Sequence, residues 1–453
     1  MSTGRQVRGT ARRDLLRAAL VGFPAIIPAS ALGRGATAPS ERITMGAIGV
    51  GRMGSGLLQG FLQREDVRVV AVCDVQESAR QQAKKWVDEK YGDQACSTYN
   101  DFRDLLARKD IDAVSIATGE RWHPLVAIEA ARLGKHMYCE KPMSLTVEQA
   151  KAAREAVRRN GVVYQFGTQQ RSSYYFRFAC ELVRNGRIGR LQTVAIGTSG
   201  RGAPLAPEQP RPVPPGVDWD RWLGPAPWAP YSDLRIGITW LRIYDYGLGN
   251  VGGGWGIHDI DFAQWVNNSD HTTPISVEGT GILYEDIRDT IASFEIEHTY
   301  ANGARILFMD MGTARRRVPQ FQHANMNSVV LLGSEGWIWV SREGMRTHPE
   351  SLMRTVIGPN ENRVIHSDDH QRNFLDAIRT GGQTICPAEV AAHDEMICQM
   401  GDIAVRLKRR LRWDPVKEMF IDDEQANRRL SRPMRSPWRL EVPAGPKALE
   451  SNS

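Results

Sequence analysis

The chain has 453 residues, 42% of them hydrophobic and 24% charged. These fractions are close to globular averages; they exclude wholesale disorder and predict two or three domains at roughly 100–200 residues each. No apolar run reaches the roughly 18–20 residues that cross a bilayer, so no stable membrane span is expected. Six cysteines, none spaced C-x-x-C, exclude a disulfide scaffold and the common zinc and redox motifs. The formal charge of +6 is concentrated at one end: residues 1–38 hold six arginines and one aspartate, and without them 52 basic residues face 51 acidic ones. A nearly neutral body offers no basic face to nucleic acid.

The N-terminal residues read as an address. Arg12-Arg13-Asp14-Leu15-Leu16-Arg17 precedes a mild apolar stretch from Ala18 to Leu32, and Ala29-Ser30-Ala31 and Ala36-Thr37-Ala38 have the A-x-A form of cleavage sites. Pro24 and Pro28 argue against a stable helix there. The arginine pair resembles a twin-arginine (Tat) signal. Residues 1–38 are therefore expected to engage the Tat export machinery and to be removed, leaving a periplasmic protein. Beyond the cytoplasmic nucleotide pool, an enzyme is expected to hold its cofactor tightly and regenerate it in place. Free cysteines suit folding in the reducing cytoplasm before export.

Residues 39–165 read as a nucleotide-binding domain. The strand pattern Ile43 to Ile48 leads into Gly49-Val50-Gly51-Arg52-Met53-Gly54, then a helical stretch from Ser55 to Gln63, then a second apolar strand, Val67 to Val72, that ends at Asp74. Strand, G-x-G-x-x-G, helix and an acid about twenty residues on form a dinucleotide fingerprint. Gly49 permits the tight turn, Gly51 lets the backbone approach a pyrophosphate, and Gly54 lets helix and strand pack closely. Arg52 and Met53 open the helix whose N–H groups would face the phosphates. Asp74 is suited to the ribose 2′-hydroxyl, which favours NAD over NADP. Further strands are expected at Ala113–Ala117, His136–Cys139 and Val162–Phe166, with helices between them near 125–133 and 147–160. This alternation predicts a doubly wound parallel sheet, with ligands at the carboxyl ends of its strands, where 118–123 and 140–142 fall.

Glu140-Lys141-Pro142 after a strand, downstream of this glycine loop, resembles the Gfo/Idh/MocA family (glucose–fructose oxidoreductase, inositol dehydrogenase and relatives). Thr118 to His123 is similar to that family's T-P-D-x-x-H cofactor loop, with Gly119 and Glu120 departing from its Pro and Asp. Gln165 to Ser172 resembles a cleft segment of a subfamily and contributes Gln169 and Arg171 as candidate substrate contacts. Gly256-Ile257-His258-Asp259-Ile260-Asp261 is similar to the catalytic histidine segment. Ser431-Arg432-Pro433 and Pro437-Trp438-Arg439 anchor a weaker likeness near the end. The resemblance implies a nicotinamide cofactor touched by Thr118, His123, Glu140 and Lys141, a sugar or polyol substrate, and homo-oligomers formed through an open sheet face. Many relatives carry Asp four residues before the histidine; here that position is Gly254, and Asp245, Asp259 or Asp261 could compensate.

Oxidising a secondary alcohol requires that its proton leave, that its carbon face the nicotinamide, and that its oxygen meet a donor or cation. His258 titrates in the useful range and is assigned as general base; Lys141 orients the hydroxyl and stabilises the developing alkoxide. His123 serves either the cofactor loop or a helix cap, and Asp261 is either an orienter of the site or a helix-start acid. Nine of the 24 prolines fall between Pro204 and Pro230, which predicts a long ordered arm. Six of the 12 tryptophans lie between Trp219 and Trp265. Most are assigned to packing of that arm, and Trp240 and Trp255, which flank the histidine segment, to stacking on a sugar ring. Arg242, Asp245 and Tyr246 are candidate hydroxyl partners.

Residues 166–453 read as an α+β domain with a large, mostly antiparallel sheet. Its strands are expected at 191–198, 275–283, 291–297, 304–309 and 329–340, and a long helical region at 387–411. The basic run Arg406 to Arg412 reads as a solvated face. The leading expectation is an NAD(P)-dependent sugar or polyol oxidoreductase. Two alternatives are redox-assisted glycoside cleavage by transient oxidation and elimination, and a non-catalytic, nucleotide-loaded sugar-binding protein.

Overall fold

The computed structural model describes residues 41–200, 202–324 and 326–440; the expected export signal at 1–38 lies outside them. From Ile43 onward the chain forms one compact unit built on two sheets. The first has the order β3-β2-β1-β4-β5-β6, with β1 Ile43–Ile48, β2 Val67–Cys73, β3 Ser97–Tyr99, β4 Ala113–Ile116, β5 His136–Cys139 and β6 Tyr164–Phe166. Every pairing in it is parallel. The apolar runs of β1 and β4 are buried almost throughout, as a sheet covered on both faces requires. Strand order reverses between β1 and β4, and a crevice forms at such a switch point. Ile48 is in register with both Cys73 and Ile116. The turns after β1, β2 and β4 therefore emerge at one level, and Gly49, Asp74 and Ala117 follow those strands directly.

The second sheet has the order β13-β12-β11-β7-β10-β9-β8-β14-β15 and is antiparallel except for the β7–β10 pair. Its strands are β7 Leu191–Thr198, β8 Ser276–Leu283, β9 Ile291–Thr299, β10 Arg305–Asp310, β11 Ser328–Gly333, β12 Trp337–Ser341, β13 Gly344–His348, β14 Leu411–Asp414 and β15 Met419–Phe420. The single strand expected over 329–340 is a hairpin: Ser334-Glu335-Gly336 turn the chain, and Gly336 O accepts from Gly333 N. The three strands β13, β14 and β15 escape the sequence reading because they are short and carry polar residues. The helical region expected to run to 411 ends earlier. Its helix spans Ala388–Leu407, Lys408 closes it in the left-handed conformation, and the chain then becomes β14. Arg406 and Arg409 of the basic run are engaged by Asp402 and Asp423.

The helix Ala388–Leu407 packs on β8 and β9, on the helix Val147–Asn160 and on the helix Gly256–Val266, and so joins the two sheets through one core. Beneath that joint lies a buried ionic layer. Arg171 is 2% exposed and Asp261 0%. Arg171 Nε donates to Asp261 Oδ1 at 2.8 Å, and its two terminal nitrogens fork onto the Asp270 carboxylate at 3.0 and 2.9 Å. The six cysteines are free and buried. Among the described residues no helix is long and apolar enough to cross a membrane.

Removing one member of a buried pair leaves the other charge uncompensated, at a cost of about 3–5 kcal/mol. Arg171→Ala is therefore expected to destabilise the protein by about that amount in guanidinium unfolding, and an unchanged midpoint would contradict the layer's role.

Candidate active site

The glycine turn is built as its sequence demands. Gly49 sits at φ +79°, and a Cβ there would lie 2.5 Å from Ala117 O. A Cβ on Gly54 would meet Gly49 O at 1.8 Å, so only glycine lets the helix Arg52–Leu62 pack onto the turn. A Cβ on Gly51, by contrast, would meet nothing within 4 Å. Gly51 is also the N-cap of that helix, with no side-chain cap and no acid in the first turn. Open space in front of uncapped N–H groups is an anion cradle, so these residues fit a pyrophosphate. Asp74 accepts from Val50 N and Gln76 N, each at 2.9 Å, and burial raises its pKa. A carboxylate has lone pairs beyond those two bonds for ribose hydroxyls.

A cleft of about 1050 Å³ runs from this turn to the second sheet. It is lined by Gly49, Gly51, Arg52, Met53 and Asp74, by Thr118 and His123, by Glu140 and Lys141, and by Gln169, Trp240, Arg242, Trp255 and His258. The two halves of the expected site thus share one cavity. His123 Nδ1 lies 2.6 Å from Pro142 O, which ties the Thr118–His123 loop to the Glu140-Lys141-Pro142 segment. Burial lowers its pKa to about 4, and its Nε2 has no protein partner. The residue is also the first of the helix His123–Arg132.

Lys141 Nζ donates to the carbonyl oxygens of Gly253 and Gly254, both at 2.8 Å, which leaves an N–H for another acceptor. Burial lowers its pKa, while Glu140 and Glu120 oppose that shift. His258 stands on the first turn of the helix Gly256–Val266, 5% exposed, with Nδ1 unpartnered. Burial, and then the charges of Lys141 and Arg342, push its pKa well below the usual imidazole value, so the ring is a neutral base.

Four sequence assignments fall outside the cleft. Arg171 and Asp261 bind each other in the ionic layer and do not line the cavity. Asp245 is exposed and does not line it either. Tyr246 is fully buried in an aromatic layer, its hydroxyl accepting from Arg235 Nη1 at 2.9 Å. Trp219 and Trp222 stack at 4.5 Å in that layer, the packing expected of the proline-rich arm, although Trp222 also borders the cleft.

None of Asp245, Asp259 and Asp261 is placed as the carboxylate missing at Gly254. Asp259 is buried, holds Gln170 Nε2 at 3.3 Å, and is raised to about 7 by burial. Besides Glu140, the acid whose charge reaches the lysine is Glu120, one of the loop's two departures. It is 1% exposed; Oε2 accepts from Leu248 N at 3.1 Å, and Oε1 has no partner. That oxygen lies 1.5 Å from where a Cβ on Gly253 would be, so the carboxylate fills the space that the absent side chain leaves. Burial, then the charge of Glu395, raise its pKa to about 8, and Lys141 counteracts.

The sequence reading also missed Arg342, carried by the two-residue turn between β12 and β13, with its guanidinium 4.5 Å above the Trp255 ring. No motif marks it; only the sheet brings residue 342 to residue 258. Trp438 lines the cleft as well, with its ring 4.6 Å from that of Trp122.

Residues 43–168 match the model described as oxidoreductase family, NAD-binding Rossmann fold, and residues 205–440 match the C-terminal alpha/beta domain of the same oxidoreductases. The chain belongs to the Gfo/Idh/MocA oxidoreductase family. It is 28% identical over 268 residues to the uncharacterized oxidoreductase YrbE of Bacillus subtilis, covering 58% of this chain and 66% of that protein. It is 37% identical over 113 residues to glycosyl hydrolase family 109 protein 2 of Shewanella sp. (strain ANA-3), covering 24% of this chain and 25% of that one. Myo-inositol 2-dehydrogenase of Thermotoga maritima is 28% identical over 243 residues, 54% of this chain and 60% of the relative. In each case the match spans less than two thirds of the relative's length. Among solved structures, the WlbA dehydrogenase from Bordetella pertussis, in complex with NADH and UDP-GlcNAcA, superposes with a TM-score of 0.60 at 17% identity, covering 82% of this chain and 99% of that one. That likeness shows the shared fold.

Asp74→Ala removes the acceptor suited to a ribose 2′-hydroxyl and the charge that repels a 2′-phosphate. The ratio of NADP to NAD affinity, measured by calorimetric titration, is expected to rise by about tenfold or more; an unchanged ratio would contradict the assignment of Asp74.

Proposed function

We propose that the protein is an NAD-dependent oxidoreductase acting on a ring hydroxyl of a sugar, glycoside or cyclic polyol. The observation that carries this reading is the meeting of Lys141 and His258 in a cleft whose other end is the Gly49–Gly54 turn. The Gly51 cradle and Asp74 would hold the dinucleotide, which supplies the hydride acceptor when bound. Lys141 presents its remaining N–H to the hydroxyl oxygen and stabilises negative charge developing there. Its two carbonyl partners fix the ammonium in place, and Glu140, then Glu120, favour its charged form. The neutral His258 ring accepts the hydroxyl proton. Trp240 and Trp255 offer flat faces to a pyranose, and Gln169 and Asn250 line the same cavity as polar partners. The inositol dehydrogenase among the relatives supports a cyclic polyol or sugar as substrate.

A second reading is favoured by the match to glycosyl hydrolase family 109 proteins. Transient oxidation of a ring hydroxyl, its hydride passing to NAD, would acidify the neighbouring C–H; loss of that proton would expel the aglycone, water would add to the resulting double bond, and the hydride would return from NADH to the keto group. The same lysine and histidine serve both readings. The Arg12-Arg13 segment supports export by the twin-arginine route to the periplasm, with the dinucleotide retained between turnovers. The broad second sheet supports assembly into homo-oligomers.

Lys141→Ala and His258→Ala are each expected to lower kcat by about 10²–10⁴, the usual contribution of acid–base catalysis. Full activity in either variant would remove that residue from the mechanism. Because the His258 pKa is depressed, the base stays unprotonated as pH falls, so the acidic limb of kcat/KM is expected below the ordinary imidazole midpoint of about 6.5. A limb at or above that midpoint would contradict the neutral-base assignment. With an aryl glycoside, net reduction of NAD with the glycosidic bond intact is the expected outcome. Aglycone release without net NADH would establish the cleavage reading instead.

A further inference from the structure

The cleft holds more positive charge at its substrate end than an uncharged sugar calls for. Its lining includes Arg52, Arg121, Lys141, Arg221, Arg242 and Arg342, against the acids Asp74, Asp101 and Glu140. Arg221 is neutralised by Asp218 and Asp101. Arg52 opens the helix at the pyrophosphate cradle, where a bound dinucleotide supplies the anion. Arg121 donates to the carbonyl oxygens of Trp222 and Leu223 and lies against the Trp222 and Tyr246 rings, so it is part of the aromatic layer. That leaves Arg242 and Arg342. Neither makes an ion pair among the described residues; Arg242 is half-buried, and Arg342 stands exposed on its turn at the rim of the cleft. Arg242 Nε is buried and unpartnered.

Arg342 is the better placed of the two. The two-residue turn between β12 and β13 carries it, and Glu343 N donates to Ser341 Oγ across the turn at 3.2 Å. Its guanidinium lies on the Trp255 ring, and that ring lies 5.8 Å from the imidazole of His258. The acids whose charge reaches it, Asp259 and Glu140, are not within ion-pair distance, and burial raises both to about 7. A planar guanidinium stacked on an aromatic ring keeps its N–H edge free for a bidentate oxyanion. A cation held this close to Lys141 and His258 opposes protonation of both, and a bound anion would offset that field.

We infer that the substrate is an anionic sugar, and that Arg342, with Arg242 beside the same cavity, binds its oxyanion group while Trp255 and His258 face the ring. This rests on the oxidoreductase reading given above. A sugar carboxylate and a sugar phosphate share the chemistry that an arginine recognises, so both are tested.

The experiment measures binding to the NAD-loaded protein by tryptophan fluorescence and calorimetry. The probes are D-glucuronate and D-galacturonate, the 6-phosphates of glucose and galactose, and the two neutral hexoses. At least one acid is expected to bind about tenfold or more tighter than its neutral counterpart, the range of one charge-assisted hydrogen bond. Arg342→Gln is expected to erase that preference, raising the Kd of the acid about tenfold while leaving the neutral hexose within about twofold. Tighter uronate identifies the group as carboxylate, and tighter 6-phosphate identifies it as phosphate. Neutral hexoses binding as well as every acid, no binding by any acid, or equal weakening of both classes by Arg342→Gln would overturn the inference. NAD-dependent turnover of a neutral hexose in that event would leave the oxidoreductase reading standing. Absence of dinucleotide binding, seen in the same titrations before any sugar is added, would remove the oxidoreductase reading itself.

Discussion

The paired hydrogen bonds from Lys141 Nζ to the carbonyl oxygens of Gly253 and Gly254 are the interaction on which the site depends. Lys141 leaves the end of β5 in the first sheet, and the two glycines precede the helix that carries His258 against the second. One ammonium thus fixes the spacing between the end of β5 and His258. Main-chain carbonyls hold the lysine without neutralising it, and a carboxylate at position 254 would partly cancel its charge. Glu120 approaches from the other side, through space that only a glycine at 253 leaves open, and burial raises its pKa to about 8.

Burial is the second constraint. Lys141, His258, Glu120, Glu140 and Asp259 are all withdrawn from solvent, and in each the cost of desolvating a charge is the largest influence on the proton equilibrium. Desolvation drives bases and acids alike toward neutrality. It prepares His258 to accept a proton and leaves Lys141 able to share one. Arg342, exposed at the rim of the cleft, keeps its charge because guanidinium is so strongly basic. It is therefore the dependable cation at the substrate end.

Local chemistry made much of this legible in the sequence. Gly49, Gly51 and Gly54 announce a turn because their spacing has a backbone cause, and a Cβ at each has the consequence which that cause requires. Five of the six strands of the first sheet read clearly because a doubly covered parallel strand is a continuous apolar run, whereas the half-buried edge strand β3, Ser97-Thr98-Tyr99, carries no such run and was missed. What was not legible is what the tertiary structure alone brings together. Arg171 and Asp261 look like cleft residues by position, yet they meet each other below the floor. Arg342 lies 84 residues beyond His258 on an unremarkable turn, and only the order of β11, β12 and β13 delivers it to the cleft. Glu120 was visible only as a departure from a motif, and its role needed the empty side-chain position at Gly253.

The proposed function makes the cleft between the two sheets a dinucleotide site tuned to NAD. Native mass spectrometry of the intact protein with equimolar NAD and NADP tests it most directly. One NAD per chain and little NADP is the expected result. Preferential loading with NADP, or no dinucleotide on the protein at saturating concentration, would contradict it.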